Sequence, residues 1–492
     1  GEVACPPMSG ASPGGDELRR DLARLVGELL AESAAGDGQP VGPRIRAHLG
    51  PGADELPILA EDLEDIDLPN LQLALDALFA RLGWGATVVG IGGQAKRFSM
   101  LGLSELLMGR HWTVGPPEYT NVPVGPGRTL ACLDFALVLV TSPDGPIAIF
   151  VRRGEEHAPG GPGLTVQAVA PAPGVAEGVL AAIRDLIVEV DVFRGQVITV
   201  EVTPTGRRTV AFLDREAMDP RELVLPDGVL ERIERHVLGP SRHRDALVAA
   251  GRHLGRGLLL WGPPGTGKTL TVRYLTGRLV DATVVILTGG ALGMAGAFGA
   301  LARRLAPAVV VLEDVDLVAE ERVYGPHGGS SPVLFDLMNE MSGQSPDADV
   351  AFILTTNRPD ALEPALAARP GRVDLAVEIP LPDAECRRRL LDLYARGMDL
   401  RLDEPAAVVA RMEGVTASFV KELLRKAVLG AAEAGRRTVT QGEVDAALDE
   451  LLHETSALTR VLLGSGDPSA TAAGPSRAWM QSFPRPDGSA TS

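Results

Sequence analysis

The sequence predicts an α/β protein: a parallel-sheet module built around a glycine-rich loop and closed by a C-terminal helical lid, preceded by an α+β domain and N-terminal helices. Three observations carry this. An apolar strand pattern at 258–261 runs straight into a glycine-rich loop and a helix. Strand and helix patterns alternate from 225 to about 382. Four helical segments follow, roughly 383–397, 404–412, 416–434 and 440–453.

In chain order, residues 1–15 are rich in Pro, Gly and Ser and read as a flexible N-terminus. The span 16–83 reads as helical. Leu18, Leu22, Leu25 and Leu29 recur at helical spacing before Gly36, and Leu71, Leu75, Leu78 and Leu82 share a face after Asn70. Glu61, Asp62, Glu64, Asp65 and Asp67 between them read as a solvated acidic surface.

Residues 84–215 form the expected α+β domain, with strands at 87–91, 136–141, 147–152, 164–169 and 197–202. Ser142-Pro143-Asp144-Gly145 makes a hairpin turn, and 175–190 is a helix packed on the sheet. Gly90-Ile91-Gly92-Gly93 reads as a tight turn, because the third glycine and the acidic partner of a dinucleotide loop are missing. Lys96-Arg97 beside Phe98 reads as solvated surface. The span 225–382 is the large α/β domain, 383–454 the helical lid, and 455–492 a disordered tail rich in Gly, Ser, Ala and Pro.

Composition narrows the function. The chain has 492 residues and a formal charge of -17, which disfavours a nucleic-acid binder. No apolar run approaches a membrane span, and the first ten residues lack the features of a signal peptide, so the cytoplasm is expected. Cys5, Cys132 and Cys386 are far apart and read as reduced thiols. Histidine spacing suggests no zinc site. Only four of 47 basic residues are lysine, which singles out Lys268 as a place where a compact ammonium is wanted.

The chemistry begins at Gly262-Pro263-Pro264-Gly265-Thr266-Gly267-Lys268-Thr269, followed by Leu270. This is the phosphate-binding loop G-x-x-x-x-G-K-[ST] between a strand and a helix. Its glycines let backbone N–H groups close on phosphates, and the helix N-terminus adds positive dipole. Lys268 would bridge the β- and γ-phosphates of ATP, and the Thr269 hydroxyl would hold Mg²⁺. A second strand, 309–312, ends in Glu313-Asp314. The usual order is Asp then Glu. By position, Glu313 is the metal-side carboxylate and Asp314 the catalytic base. A third apolar strand ends at Asn357, which fits a sensor of the γ-phosphate that orients water.

Together these motifs resemble the AAA branch of the AAA+ ATPases. Glu363 to Asp374 resembles that family's second region of homology, where Arg369 and Arg372 hold the positions of arginines that reach a neighbouring subunit's site. The resemblance therefore implies a homo-oligomer, with a ring of six as the family expectation, and arginine fingers acting in trans. Gly414-Val415-Thr416-Ala417-Ser418 matches the start of the sensor-2 helix, where small residues approach the nucleotide, and Val439-Thr440 with Val444 and Leu448 fits the last lid helix.

The likeness covers about 230 residues. It implies an ATP hydrolase that remodels, disassembles or translocates a protein substrate, recruited directly or through an adaptor by the 84–215 domain. Two departures stand out. One is the Glu313-Asp314 order. The other is the 289–296 segment, where threading members place an aromatic pore residue; here Met294 is the nearest apolar substitute and Phe298 the first ring. These leave open a nucleotide-dependent assembly switch with little hydrolysis. Nucleic-acid remodelling is the third, less favoured reading.

Overall fold

The computed structural model describes residues 39–92, 101–109, 112–154, 163–202, 208–317, 348–360 and 373–453. The expected helix within 16–36, Gly93, the Lys96-Arg97 pair, Arg369, Arg372 and the 455–492 tail lie outside them. The chain divides into two compact units, residues 1–193 with 201–212, and residues 194–200 with 213–492.

The first unit is built on a mostly antiparallel sheet. Its elements are α1 (Val41–Leu49), β1 (Leu59–Leu63), α2 (Leu68–Leu82), β2 (Gly85–Gly92), α3 (Leu103–Met108), β3 (Thr113–Gly115), β4 (Glu118–Gly125), β5 (Arg128–Ser142), β6 (Gly145–Arg153), β7 (Leu164–Val169) and α4 (Val175–Glu189). The long central strand β5 explains the layering. Successive side chains point to opposite faces, and both faces are apolar. Ala136, Val138 and Val140 pack with α2 and α4. Phe135, Leu137 and Leu139 pack with α1 and α3. The result is a sheet buried between two helical layers. The hairpin turn sits where expected, with Ser142 paired to Gly145 across β5 and β6.

The acidic cluster is solvated only in part: Asp62 and Glu64 are exposed, as expected, but the rest are not. Asp65 and Asp67 are buried, and Asp65 Oδ1 accepts from Arg153 Nε at 2.5 Å. Asn70 donates to Asp67 Oδ1 at 2.9 Å, and the Thr165 hydroxyl to Asp62 Oδ1 at 2.8 Å. Glu61 pairs with Arg184 and Glu64 with Arg208. These carboxylates fasten β1 and α2 to distant parts of the same unit.

Two strands straddle the division: β8 (Val197–Val202), whose residues 197–200 fall in the second unit, and β9 (Arg208–Leu213), whose residues 208–212 fall in the first. The second unit continues with α5 (Val229–Arg242), α6 (Arg244–Ala249), β10 (Arg256–Trp261), α7 (Lys268–Arg278), β11 (Thr283–Leu287), α8 (Ala295–Arg304), β12 (Ala308–Leu312), β13 (Val350–Thr356) and β14 (Leu375–Glu378). Six strands run parallel in the order β14-β10-β13-β12-β11-β8. Their near-continuous apolar sequences are what a sheet covered on both faces requires. Three strands depart from expectation: β1 lies in the span 16–83 that reads as helical, and β2 continues through Gly90–Gly92, where a tight turn is expected, because those residues pair with Thr113–Gly115 of β3. The third is β8. Residues 197–200, assigned from sequence to the preceding α+β domain, pair in parallel with Val284–Leu287 of β11. The alternation in β8 marks it as a strand without naming its neighbour, so periodicity alone could not choose its partner.

The lid follows as α9 (Ala384–Tyr394), β15 (Asp399–Arg401), α10 (Pro405–Arg411), α11 (Ala417–Glu433), β16 (Thr438–Thr440) and α12 (Gln441–His453). Its core gathers Leu390, Val408, Phe419, Leu423 and Leu448. Asp383 caps α9 by accepting from the Cys386 N–H, and Thr416 caps α11 by accepting from the Phe419 N–H.

Candidate active site

Strand order assembles the site. β10 delivers the glycine-rich loop, β13 lies beside it, and β12 lies beside β13. In a parallel sheet all three strands end on the same side, so their C-terminal residues converge there. The loop residues, Glu313, Asp314 and Asn357 therefore meet although nearly a hundred residues separate the first from the last.

The loop itself is held by its glycines. Gly262, Gly265 and Gly267 have φ of 148°, 77° and 116°, a region that L side chains rarely adopt. At Gly262 an added Cβ would also meet the Ile379 carbonyl oxygen at 2.2 Å. Thr266 donates from its hydroxyl to the Pro263 carbonyl at 2.9 Å. Lys268 begins α7 and is buried; its Nζ donates to the carbonyls of Gly262 at 2.8 Å and Pro263 at 2.9 Å. Burial lowers the ammonium to about 8, against the opposing pull of Asp314 and Asp316.

The two carboxylates divide the site between them. Glu313 lies toward the loop, near enough to the Thr269 hydroxyl for that group to favour its ionised form. Burial raises the pKa of its carboxyl, the nearby Thr269 hydroxyl lowers it, and the neighbouring Asp314 charge raises it, with a net upward shift. A hydroxyl and a carboxylate brought together are the hard oxygen donors that Mg²⁺ takes, so Thr269 and Glu313 fit that ion. Asp314 lies toward β13, where Asn357 Nδ2 donates to its Oδ1 at 3.3 Å.

Asp316 escaped the sequence reading. It is buried and accepts at Oδ1 from the Thr356 hydroxyl at 2.8 Å and from the Asn357 N–H at 3.2 Å. The only sequence signal was an acidic residue two positions after Asp314 in an otherwise apolar stretch.

The lid touches the loop directly. At the start of α11 the Ser418 N–H donates to the Gly265 carbonyl at 3.2 Å, and its hydroxyl lies 3.3 Å from the same oxygen. A Cβ on Gly265 would meet Ser418 Oγ at 2.9 Å. Beside Thr269 and Glu313 opens a groove of about 900 Å³, walled also by Arg273, Tyr394, Arg396 and Lys421. None of these four was singled out for this site from the sequence. In the 289–296 segment Leu292 is buried, as is Phe298 beyond it, while Met294 is partly exposed.

Residues 258–381 match the family described as "ATPase family associated with various cellular activities (AAA)". The chain is 30% identical over 280 residues to the proteasome-activating nucleotidase of Thermococcus gammatolerans, covering 54% of this chain and 70% of that protein. The chain belongs to the AAA family of ATPases. It is also 34% identical over 268 residues to the ATP-dependent zinc metalloprotease FtsH 2 of Symbiobacterium thermophilum, covering 52% of this chain and 44% of that protein. The 26S proteasome regulatory subunit 8 of Caenorhabditis elegans is 30% identical over 243 residues, 47% of this chain and 58% of that protein. The chain thus spans about half the length of several curated relatives it matches. The first unit of this AAA chain lies outside the matched family region. Among the described residues, no helix is long and apolar enough to cross a membrane.

Proposed function

We propose that this chain binds ATP with Mg²⁺ on the glycine-rich loop and hydrolyses it to drive remodelling, disassembly or translocation of a protein substrate. The observation that carries the reading is the convergence of Lys268, Thr269, Glu313, Asp314 and Asn357 at the C-terminal ends of three adjacent parallel strands. The loop N–H groups and Lys268 bind and orient the phosphates. Thr269 and Glu313 would hold Mg²⁺, which supplies charge neutralisation at the β- and γ-phosphates. Asn357 orients the attacking water. Asp314 accepts its proton as the new oxygen–phosphorus bond forms, and the bond to the β–γ bridging oxygen breaks to release ADP and phosphate.

The groove beside Thr269 supports a place for the ribose and base, with the half-buried Tyr394 as an apolar wall. By family resemblance the working form is a ring, six subunits being the expectation, with Arg369 and Arg372 completing a neighbour's site. The first unit is proposed to recruit the substrate or an adaptor, and the cytoplasm remains the proposed compartment.

Steady-state ATP hydrolysis against protein concentration, for the wild type, Asp314→Asn and Arg372→Ala, tests the reading. Turnover that rises with assembly and collapses in both variants supports it. ATP binding without turnover would sink it. That outcome would favour an assembly switch, a reading that draws on the short Asp314 carboxylate being engaged by Asn357.

A further inference from the structure

Asp314 has a φ of 52° and is the single non-glycine residue with positive φ among the described residues. A left-handed backbone crowds Cβ against the following carbonyl, and Asp and Asn tolerate it best because a short polar side chain can hydrogen-bond locally. Such a conformation persists only when its surroundings over-determine it.

The surroundings here are explicit. The Asp314 N–H donates to Thr355 Oγ1 at 3.0 Å, and the Val315 N–H to the Thr355 carbonyl at 3.0 Å. One residue along β13, the Thr356 hydroxyl donates to Asp316 Oδ1 at 2.8 Å, and the Asn357 N–H donates to the same oxygen at 3.2 Å. Thr355, Thr356 and Asp316 are all buried. Residues 314–316 are therefore stapled, bond by bond, to residues 355–357. The staple closes at the surface with Asn357 Nδ2 on Asp314 Oδ1.

We propose that Asp316 and Thr355 are positioning residues for the hydrolytic step. They hold position 314 in the left-handed conformation and fix the distance between its carboxylate and Asn357. The inversion of the usual Asp-Glu order follows: a backbone turned this way favours the shorter acid at the second position. A longer carboxylate placed there would overreach Asn357 instead of restoring a faster enzyme. The proposal rests on the hydrolase reading above.

The test uses the full chain and the variants Asp316→Ala, Asp316→Asn, Thr355→Val, Thr355→Ser and Asp314→Glu, measuring kcat, KM for ATP and affinity for a slowly hydrolysed ATP analogue. Asp316→Ala and Thr355→Val should each lower kcat about 100-fold, as a misplaced base does, with KM and analogue affinity within about twofold. Asp316→Asn and Thr355→Ser keep the accepting oxygen and should recover most of the rate. Asp314→Glu should be slower than the wild type.

Unchanged kcat in Asp316→Ala or Thr355→Val, loss of analogue binding in step with rate, or a faster Asp314→Glu would each overturn the proposal. Thermal melting of Asp314→Gly and Asp314→Ala separates this from the parent reading. Glycine at a left-handed position should melt about 2–4 °C above alanine. If the wild type shows no turnover, the hydrolase reading and the positioning role fall together. The melting pair then still decides the backbone claim, and alanine melting level with or above glycine overturns it.

Discussion

Lys268 Nζ lies 2.8 Å from the carbonyl oxygen of Gly262, six residues before it, so the loop folds back on its own cation. Burial holds that ammonium at about 8, and phosphates placed against it would raise it. Below pH 8 the free protein already carries the proton, and ATP binding should take up none. Above pH 8 the free protein has lost it while the bound form keeps it. Binding should then take up close to one proton, and affinity should fall about tenfold per pH unit. Calorimetry at pH 7 and pH 9, in buffers of different ionisation enthalpy, reads the uptake directly. No uptake at pH 9 would sink the assignment of Lys268 to the phosphates.

The start of the loop strand rests on a buried ion pair. Arg256 donates to Asp349 Oδ1 at 2.7 Å, and both side chains are at most 5% exposed. Three of its four other N–H groups go to the carbonyls of Val237 and Leu254 and to the Ser241 hydroxyl. Removing the carboxylate strands a buried charge, so Asp349→Ala should destabilise the second unit by about 3–5 kcal/mol. Urea denaturation of the chain measures this, and a change under 1 kcal/mol would refute it.

Gly262 leaves no room for a side chain. The φ of 148° and the 2.2 Å approach of the Ile379 carbonyl oppose any Cβ together. Gly262→Ala should therefore displace the loop from β14 and weaken ATP binding at least tenfold, an effect readable by fluorescence of a labelled nucleotide. Wild-type affinity would mean that the loop relaxes at no functional expense.

Arg215 caps the far end of the loop helix. Its guanidinium donates to the carbonyls of Thr276, Leu279 and Ala282, each at 2.7 Å, and to Gly195 at 3.2 Å. Cations at a helix C-terminus satisfy carbonyls that the helix leaves open. Arg215→Met keeps the stem and removes the donors, so stability should fall by about 2 kcal/mol or more. An unchanged denaturation midpoint would show that water replaces the guanidinium fully.

The sequence made the loop, the acidic strand end and the sensor strand legible for one reason: each is a contiguous apolar run ending in a polar residue with strict local demands. Lys268, Glu313, Asp314 and Asn357 could be named before any coordinates. Their supports could not. Asp316 matters through Thr356 and Asn357, forty residues away, and Arg215 through carbonyls sixty residues away. The acidic stretch 61–67 looked solvated because its partners, Arg153, Arg184 and Arg208, lie about 90 to 145 positions downstream. Residues 197–200 show the same limit for strands, since period and composition identify a strand without naming its neighbour. Arg369 and Arg372 stay expectations, because they fall outside the described residues.

The meeting of Ser418 with the Gly265 carbonyl also sets a scale for motion. A single neutral hydrogen bond is worth about 1 kcal/mol net, less than tenfold in population. The two Ser418 contacts thus hold the helical lid to the loop only lightly, and the lid is attached elsewhere too, where Arg389 donates to the Leu225 carbonyl at 3.3 Å and Val224 packs in the lid core. The Ser418 bond ends on the loop that would wrap the phosphates, so whatever reshapes that loop also resets the latch.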